Sequence, residues 1–517
     1  MGVSSTEYLK RDDLRGLYPS QLNGVTARCL GRAVCRLLRE KCGCGDSPLL
    51  GIGYDCRLGS VELSQGLMLG FQEAGGRCYL AGRVSTEHVY YLCGREDLSL
   101  DAGVMITASH NPMEYDGMKF VHAGCLPFTH EELAYLGTLA DEMMAKEFAA
   151  PAMDFARYAK EMFALAGLSD LPDSSETILR LLVLAGNGMG GVAFGPLAEL
   201  LKAKGIETTI LEGEPDGNFP QGVPNPLLPA FVKRLGDATR NAGADLGIGF
   251  DGDADRAGFV DAEGNEIISS HVLALIAREK VRRAAPGIRP AVMKNLCCSR
   301  LLEDLFPADG PVELVETPVG HGRIKLLMRS KEYASRVVFA GEHSGHYFYP
   351  EFHFVDSGVL TSLNMIGILH RLRAEGKQSL SDILADWKKN YRWSGERNYT
   401  LASAQETAEV MDYVAKQAAL LPNGVRYEVR QDTAAGVHRV LPALAGAPYD
   451  PTTLSAPDIK FRFDDGERGG WWFVLRPSGN EPKVRLNVEG WGPSNQELCQ
   501  KGLSFVETLL KERGAKA

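Results

Sequence analysis

The chain has 517 residues, of which 44% are hydrophobic and 24% charged, an ordinary globular composition that excludes a disordered, fibrous or low-complexity protein. At about 150 residues per domain this length calls for three to four domains rather than one core. The formal net charge of −10 gives no overall pull on nucleic acid or on an anionic membrane, so neither partner is expected, and an anionic substrate has to be held by local clusters of cations.

In chain order, SPLLGIGYD reads as a strand, VELSQGLMLGFQEAG as a helix, RCYLAGRV as a strand and AGVMITAS as another. This is the rhythm of βαβ units, a parallel sheet with helices on its faces. An acidic helical stretch from Thr129 to about Leu165 reads as a connector. LRLLVLAG, VAFGPLAELLKAKG and ETTILEG then repeat strand, helix and strand, and ADLGIGFDGDADR closes the unit with a strand running into an Asp-rich loop. A third round follows: HVLALIAREKVRR as a helix, PVELVETPVG and RVVFAGEHSG as strand-to-loop passages, and VLTSLNMIGILHRLR as a helix. After Trp387 the texture changes to YEVRQ, IKFRF, WWFVLRP and KVRLNVEG with a terminal helix, a smaller α+β domain. The division expected is α/β domains over 1–152, 153–264 and 265–390 and an α+β domain over 391–517, with a hinge near Lys388 to Arg397.

Four segments dense in Gly, Ser, His, Asp and Arg fall at strand ends, where open α/β sheets put their ligands. In VMITASHNPMEYDGMKF, Ser109 and His110 follow a strand on a turn fixed by Asn111 and Pro112, and Lys119 lies beyond an Asp116-Gly117 turn. A serine so placed could be a nucleophile or phosphate carrier, or the segment could be a plain turn. In GIGFDGDADRAGFVD, Asp251, Asp253 and Asp255 crowd three carboxylates together and imply a hard cation, Mg²⁺ or Ca²⁺. An EF-hand fails, because Arg256 stands where its glycine belongs and Ala262 where its final glutamate belongs. FAGEHSGHYF offers Glu342, His343, Ser344 and His346; Gly345 argues against the helix a zinc H-x-x-H would need, and these polar groups suit a sugar better. Upstream, Gly320 and His321 lie on another strand-end loop. In WWFVLRPSGNEPKVRLNVEG, Arg476, Ser478, Gly479 and Asn480 form a tight turn and Arg485 opens the next strand, either a phosphate cradle or a hairpin without ligand.

One competing fingerprint is LLVLAGNGMGG, where Gly186, Gly188 and Gly191 spell G-x-G-x-x-G between strand and helix and Glu212 follows the next strand. Alone, it reads as a dinucleotide site and a nicotinamide-dependent oxidoreductase. Eleven cysteines, with a C-x-C at Cys42 and Cys44 and a C-C at Cys297 and Cys298, have the wrong spacing for zinc or a redox pair; with no secretory signal ahead of them, reduced thiols in a cytoplasmic protein are expected. No apolar run approaches the ~18 residues of a membrane span. Gly2 and Thr6 match a loose myristoylation pattern, without a polybasic patch or second lipid signal to support it.

Taken together, TASHNP, DGDADR, GEHSGH and RPSGNEP, in this order and over nearly the whole chain, resemble the α-D-phosphohexomutases, the family of phosphoglucomutases and phosphomannomutases. DDLRG at Asp12 to Gly16, GYDCRLGS at Gly53 to Ser60 and PDGNFPQGVPNPL at Pro215 to Leu227 extend the likeness. The resemblance implies three similar α/β domains of mixed sheet and a smaller fourth domain around a central cleft. It implies that Ser109 is a phosphoserine, that Asp251, Asp253 and Asp255 with the serine phosphate hold one Mg²⁺, and that Lys119, helped by Arg15 and His110, handles the hydroxyl proton. Glu342 and Ser344 would bind sugar hydroxyls, with His321, Gly320 and His346 nearby. Arg476, Ser478, Gly479 and Asn480 would clamp the distal phosphate, Asn480 standing where threonine is usual. Arg256 and Arg485 would add charge, since the aspartates, the phosphoserine and the metal together leave roughly three negative charges before the substrate arrives. The activity implied is interconversion of mannose 6-phosphate and mannose 1-phosphate, with glucose phosphates as an alternative, through a hexose 1,6-bisphosphate that also serves as activator. The partner implied is the hexose phosphate alone, on a monomer or homodimer; a non-catalytic sugar-phosphate binder is the remaining alternative.

Overall fold

The computed structural model describes residues 8–10, 12–142, 153–376, 379–432, 437–442, 458–478 and 481–517. Gly2, Thr6, Gly479 and Asn480 therefore lie outside the described residues. The chain forms two compact units, Met1–Ile268 with Ser344–Ala374, and Ser269–His343 with Glu375–Ala517.

In the first unit, strands β1 (Leu14–Leu17), β2 (Leu49–Tyr54), β3 (Arg77–Arg83), β4 (Ala102–Ile106) and β5 (Tyr115–His122) make one sheet in the order β1-β5-β4-β2-β3. β2 runs parallel to β3 and β4, while β5 is antiparallel to β4 and to β1, so the sheet is mixed. Helices α1 (Gly24–Lys41), α2 (Ser60–Glu73), α3 (Thr86–Cys93) and α4 (His130–Glu142) accompany it. Asn23 caps α1 by accepting from the Val25 and Thr26 amides at 3.0 Å each. Gly31, Gly66 and Gly70 let the backbones of α1 and α2 touch, for a Cβ at any of the three would strike the facing helix.

The Asp116-Gly117 pair is not a turn, as its sequence suggested, but lies inside β5. Gly117 is pressed between the backbones of β1 and β4, where a Cβ would meet Leu14 O and stand 2.7 Å from Thr107 O. Packing from both sides overrides the local turn preference, and Lys119 consequently sits mid-strand opposite Met105.

At the end of the acidic stretch read as a connector lies α5 (Phe155–Leu165), which buries Tyr158, Ala159, Met162 and Phe163, more than a connector would. The second sheet has the order β10-β9-β8-β6-β7, from β6 (Ser174–Leu184), β7 (Lys204–Leu211), β8 (Leu246–Phe250), β9 (Ala257–Asp261) and β10 (Glu266–Ile267), with helices α6 (Gly190–Ala203) and α7 (Pro229–Ala242). β6, β7 and β8 are parallel, and β9 returns antiparallel to β8. The aspartate loop fills that reversal.

In the second unit, α8 (Ser269–Arg282) precedes β11 (Ala291–Asn295), which pairs in parallel with β12 (Glu313–Thr317) and β13 (Val337–Gly341); α9 (Leu301–Leu305) and α10 (His321–Met328) lie between them in sequence. The chain re-enters the first unit for the hairpin of β14 (Tyr347–Tyr349) with β15 (Val355–Asp356) and for α11 (Gly358–Glu375).

The C-terminal region has α12 (Leu380–Asn390), β16 (Tyr391–Trp393), β17 (Arg397–Thr400), α13 (Ala404–Ala419), β18 (Gly424–Asp432), β19 (Val437–Pro442), β20 (Ile459–Asp464), β21 (Gly470–Pro477), β22 (Lys483–Trp491) and α14 (Asn495–Glu512). Its antiparallel sheet runs β16-β22-β21-β20-β18-β19, with β17 also on β22. Phe461, Phe463, Trp471 and Phe473 stack on the face that meets Val414, Val506 and Leu510 of the helices. The Lys388 to Arg397 segment, read as a hinge, holds the end of α12 and the strand β16 bound to β22.

Candidate active site

Within the first unit the loop after β4 meets the loop after β8. Ser109 is 3% exposed and holds a left-handed backbone at φ 54°, a conformation that costs a non-glycine residue and persists only where surroundings impose it. Its amide donates to Thr107 Oγ1 at 2.9 Å. The buried guanidinium of Arg57 supplies the larger constraint, with Nη2 donating to Ser109 O at 2.8 Å and Asn111 O at 2.6 Å, and Nη1 donating to Pro112 O at 2.9 Å and Tyr115 O at 3.0 Å. One planar fork thus gathers four carbonyls of the serine loop. Gly252, between the first two aspartates, has no room for a side chain because its Cβ would stand 2.7 Å from Ser109 O.

Asp251, Asp253 and Asp255 are all buried, with carboxylate oxygens within 4.8 Å of one another. Lys119 Nζ lies 2.8 Å from both Asp253 Oδ2 and Asp255 Oδ2, and Arg256 Nε lies 2.7 Å from Asp251 Oδ2. Thr86 Oγ1 donates to Asp253 Oδ2 at 2.9 Å. Burial pushes the Asp251 carboxyl up to about 7 against the pull of Arg256, while at Asp253 the upward push of burial is outweighed by the charge of Lys119, which holds the group below the usual carboxylate range. Among the described residues, Asp253 Oδ1 and Asp255 Oδ1 are buried without a hydrogen-bond partner, costly for carboxylate oxygens unless a cation satisfies them. An all-oxygen, three-carboxylate set with spare buried oxygens fits Mg²⁺.

His110 Nδ1 stands 3.4 Å from Ser109 Oγ and 2.7 Å from Arg256 Nη2. A guanidinium can only donate, so Nδ1 is the acceptor and the ring proton is on Nε2. The charge of Arg256, then burial and Arg15, keep this imidazole neutral well below the usual histidine value. Arg15 Nη1 donates to Asn111 Oδ1 at 2.6 Å and its Nε to Asp13 Oδ2 at 2.9 Å. His346 Nδ1 lies 2.9 Å from Asp356 Oδ2 and 3.9 Å from Asp255 Oδ1. Ser344, half-buried, belongs to this same unit.

In the second unit, buried Glu342 accepts from the Gly320 amide at 2.8 Å through Oε1, and His321 opens α10 directly after that glycine. His343 packs edge-on against Trp393 at 4.4 Å between ring centroids and contacts Ser270 Oγ at 3.2 Å; burial pushes it down to about 4. Arg476 and Arg485 stand opposite each other across β21 and β22, an arrangement that repels unless an anion bridges it. Glu396 does so, 2.9 Å from Arg476 and 3.4 Å from Arg485. The Ser478 amide donates to Lys483 O at 2.8 Å. Of the sequence-read residues, Ser109, His110, Lys119, Arg15, the three aspartates, Arg256 and His346 are thus drawn together in one unit, and Arg476 with Arg485 in the other. Arg57, Thr86, Asp356 and Glu396 were missed, although Arg57 lies within the quoted GYDCRLGS.

The dinucleotide reading of Gly186 to Gly191 is overturned by packing. A Cβ at Gly188 would stand 2.9 Å from Gly252 O and 3.2 Å from Asp251 O, and one at Gly191 would strike Gly213. The Met189 amide donates to Gly252 O at 2.9 Å, and Glu212, the acid that reading needs, pairs with Arg234 at 2.9 Å. These glycines let the segment buttress the aspartate loop and leave no room for a pyrophosphate.

Family models for the phosphoglucomutase/phosphomannomutase α/β/α domains I, II and III match residues 6–144, 156–264 and 269–391, and that for the C-terminal domain matches 441–498. A protein named "Phosphohexose mutases" from Xanthomonas campestris is 31% identical over 97% of this chain and 98% of its own length. The phosphomannomutase of Escherichia coli K12 is 30% identical over 97% and 98%. Among solved structures, a phosphoglucomutase/phosphomannomutase family protein of Burkholderia thailandensis superposes with a TM-score of 0.76 at 24% identity, covering 99% of each chain. Parafusin of Paramecium superposes at 0.77 with 16% identity, covering 99% of this chain and 96% of its own.

Proposed function

This chain belongs to the phosphoglucomutase/phosphomannomutase family and is a phosphohexomutase, and we propose that it interconverts mannose 6-phosphate and mannose 1-phosphate, accepting glucose phosphates as well, through a phosphoserine at Ser109 and a hexose 1,6-bisphosphate. The observation that carries this reading is the contact of the serine loop with the aspartate loop, where Gly252 is held against Ser109 O and two buried carboxylate oxygens lack hydrogen-bond partners among the described residues.

Asp251, Asp253 and Asp255 would hold one Mg²⁺, which when bound would neutralise charge on the transferring phosphoryl group. Arg57 fixes Ser109 by its carbonyl contacts, so that Oγ is oriented before substrate binds. Neutral His110, its Nδ1 held by Arg256, stands 3.4 Å from Ser109 Oγ, and Lys119, with Arg15, would take up the proton and charge of the attacking sugar hydroxyl. Glu342, Ser344, His321, Gly320 and His346 would bind sugar hydroxyls, and Arg476, Ser478, Gly479, Asn480 and Arg485 the phosphate that is not reacting. The four-domain division at 152, 264 and 390 belongs to this reading, as does a cytoplasmic setting, which the eleven free thiols support. Among the described residues no helix is long and apolar enough to cross a membrane.

Glucose and mannose differ only at C2, so discrimination of more than about 10- to 200-fold is not expected from pocket shape alone. The test is a coupled assay of mannose 1-phosphate, glucose 1-phosphate and glucosamine 1-phosphate with a bisphosphate activator and Mg²⁺. The highest kcat/KM is expected with mannose 1-phosphate and measurable turnover with glucose 1-phosphate; a clear preference for glucose 1-phosphate or glucosamine 1-phosphate would overturn the substrate assignment.

A further inference from the structure

A second group of metal-ligating side chains lies in the first domain, away from the phosphate-handling loops. Cys42 caps the end of α1, His122 ends β5 and Glu132 stands in the first turn of α4. His122 Nε2 is 3.1 Å and Cys42 Sγ 3.8 Å from the same oxygen, Glu132 Oε1, and the three ligand atoms all lie within 4.8 Å of one another. Neighbouring ligands of a tetrahedral zinc, with bonds near 2.0 Å to N and O and 2.3 Å to S, stand about 3.3 to 3.6 Å apart. Both spacings to Glu132 Oε1 are within a few tenths of an ångström of that figure.

The ligands are also aimed. Glu132 spends Oε2 on the Thr129 amide at 2.7 Å and on Thr129 Oγ1 at 2.9 Å, which leaves Oε1 turned to the histidine and the thiol. His122 stacks on Phe128 at 4.3 Å between ring centroids, and its amide donates to Leu126 O at 2.7 Å. All three residues are half-buried, so an ion can reach them from solvent. We propose that Cys42, His122 and Glu132 form a binding site for a zinc-class divalent cation, with water in the fourth position.

The donor set separates this site from the aspartate triad. Thiolate, imidazole and carboxylate select a borderline-soft transition metal, whereas three carboxylates suit magnesium. The position separates it as well: His122 pairs with Ala102 at the start of β4, whereas Ser109 follows the end of that strand. A cation here ties α1, β5 and α4 together at the end of the sheet remote from the phosphoryl chemistry. On binding, the Cys42 S–H and the His122 Nε2–H that face Glu132 are both replaced by bonds to the metal: the thiol proton leaves to solvent, and the imidazole binds as the neutral tautomer with its one proton on Nδ1, any second proton also leaving to solvent.

The test is a Co²⁺ titration of the chelator-stripped full chain in excess Mg²⁺. One equivalent of Co²⁺ is expected to give thiolate-to-cobalt absorption in the near ultraviolet with the visible bands of a four-coordinate ion, and Zn²⁺ to displace it. Cys42→Ser should abolish the near-ultraviolet band and His122→Ala should weaken cobalt binding at least about 10-fold, while Cys44→Ser, whose thiol faces Asp101 instead, should leave both unchanged. Absence of a thiolate band in the wild-type chain at stoichiometric cobalt overturns the proposal whatever the variants do, and so does a band that survives Cys42→Ser.

Discussion

Two charge clusters, one in each unit and each built around buried lysine, have similar parts and are finished differently. In the second unit, Lys294 lies 3.1 Å from Glu303 and 3.0 Å from Glu316, Lys460 pairs with Glu316, and Arg462 lies 3.3 Å from Glu303. Among the described residues, none of these five side chains leaves a buried polar atom without a partner. In the first unit, Lys119 and Arg256 face three aspartates, and Asp253 Oδ1 and Asp255 Oδ1 remain unsatisfied. A closed network holds a fold together, whereas an open one with surplus negative charge is made for something that arrives later.

The largest effect is expected at the serine that the open cluster adjoins. Ser109→Ala should lower turnover by at least ~10³-fold, the scale for loss of a covalent carrier, and should abolish incorporation of phosphate at that position as read by intact mass; near-normal turnover would sink the phosphoserine mechanism. Next comes a paired experiment on the two clusters. Asp255→Asn should lower kcat by about 10²-fold or more and leave the metal-free melting temperature level or higher, since it removes one of three mutually repelling carboxylates. Lys294→Met should do the reverse: it removes the buried cation that Glu303 and Glu316 share, leaving them Arg462 and Lys460, costs about 1–3 kcal/mol of stability, and leaves the activity of the folded fraction near normal. Equal stability losses in the two variants would erase the distinction between the clusters.

A smaller effect is expected at Arg57. Lysine keeps its charge but cannot reach four carbonyls from one planar group, so Arg57→Lys should lower kcat by about 10- to 100-fold through misplacement of Ser109 with little change in KM for hexose phosphate. A KM effect without a kcat effect would mean that Arg57 acts on substrate rather than on the loop.

Legibility followed the same divide. The strand ends and their polar loops could be read from sequence because each loop is contiguous: DGDADR contains all three aspartates and their arginine. What completes each loop from elsewhere could not, and Arg57, Thr86, Asp356 and Glu396 join their partners only through the fold. Local rules also misread residues that packing reassigns, as at Gly117, pressed into a strand by β1 and β4, and at Gly188, filled by the aspartate loop. Helices α1 and α7 escaped the periodic reading, α1 because its buried face includes small residues such as Ala27, Gly31 and Cys35 rather than a stripe of large apolar ones.

Glu87 shows a third way of keeping a carboxyl group buried. Glu87 is fully buried in α3, accepting from the Tyr158 hydroxyl and from the Val359 amide at 3.2 Å, and neither a lysine nor an arginine is among the groups that set its protonation. Burial, against those hydrogen bonds, pushes it from an ordinary 4.5 up to about 8, so at neutral pH it is kept as the acid. Between these two values the folded protein retains a proton that the unfolded chain has released, and stability must therefore fall as pH rises, by up to about 1.4 kcal/mol per pH unit from this group. The effect is fully developed only above pH 8, where Glu87 ionises in the folded state too. Glu87→Gln removes the titration while keeping the shape, so the difference in stability between variant and wild type, followed by thermal unfolding from pH 5 to 8.5, should move steadily in the variant's favour as pH rises. A pH-independent difference would mean that Glu87 is held as a carboxylate, making it a counterpart of the aspartate triad rather than its contrast.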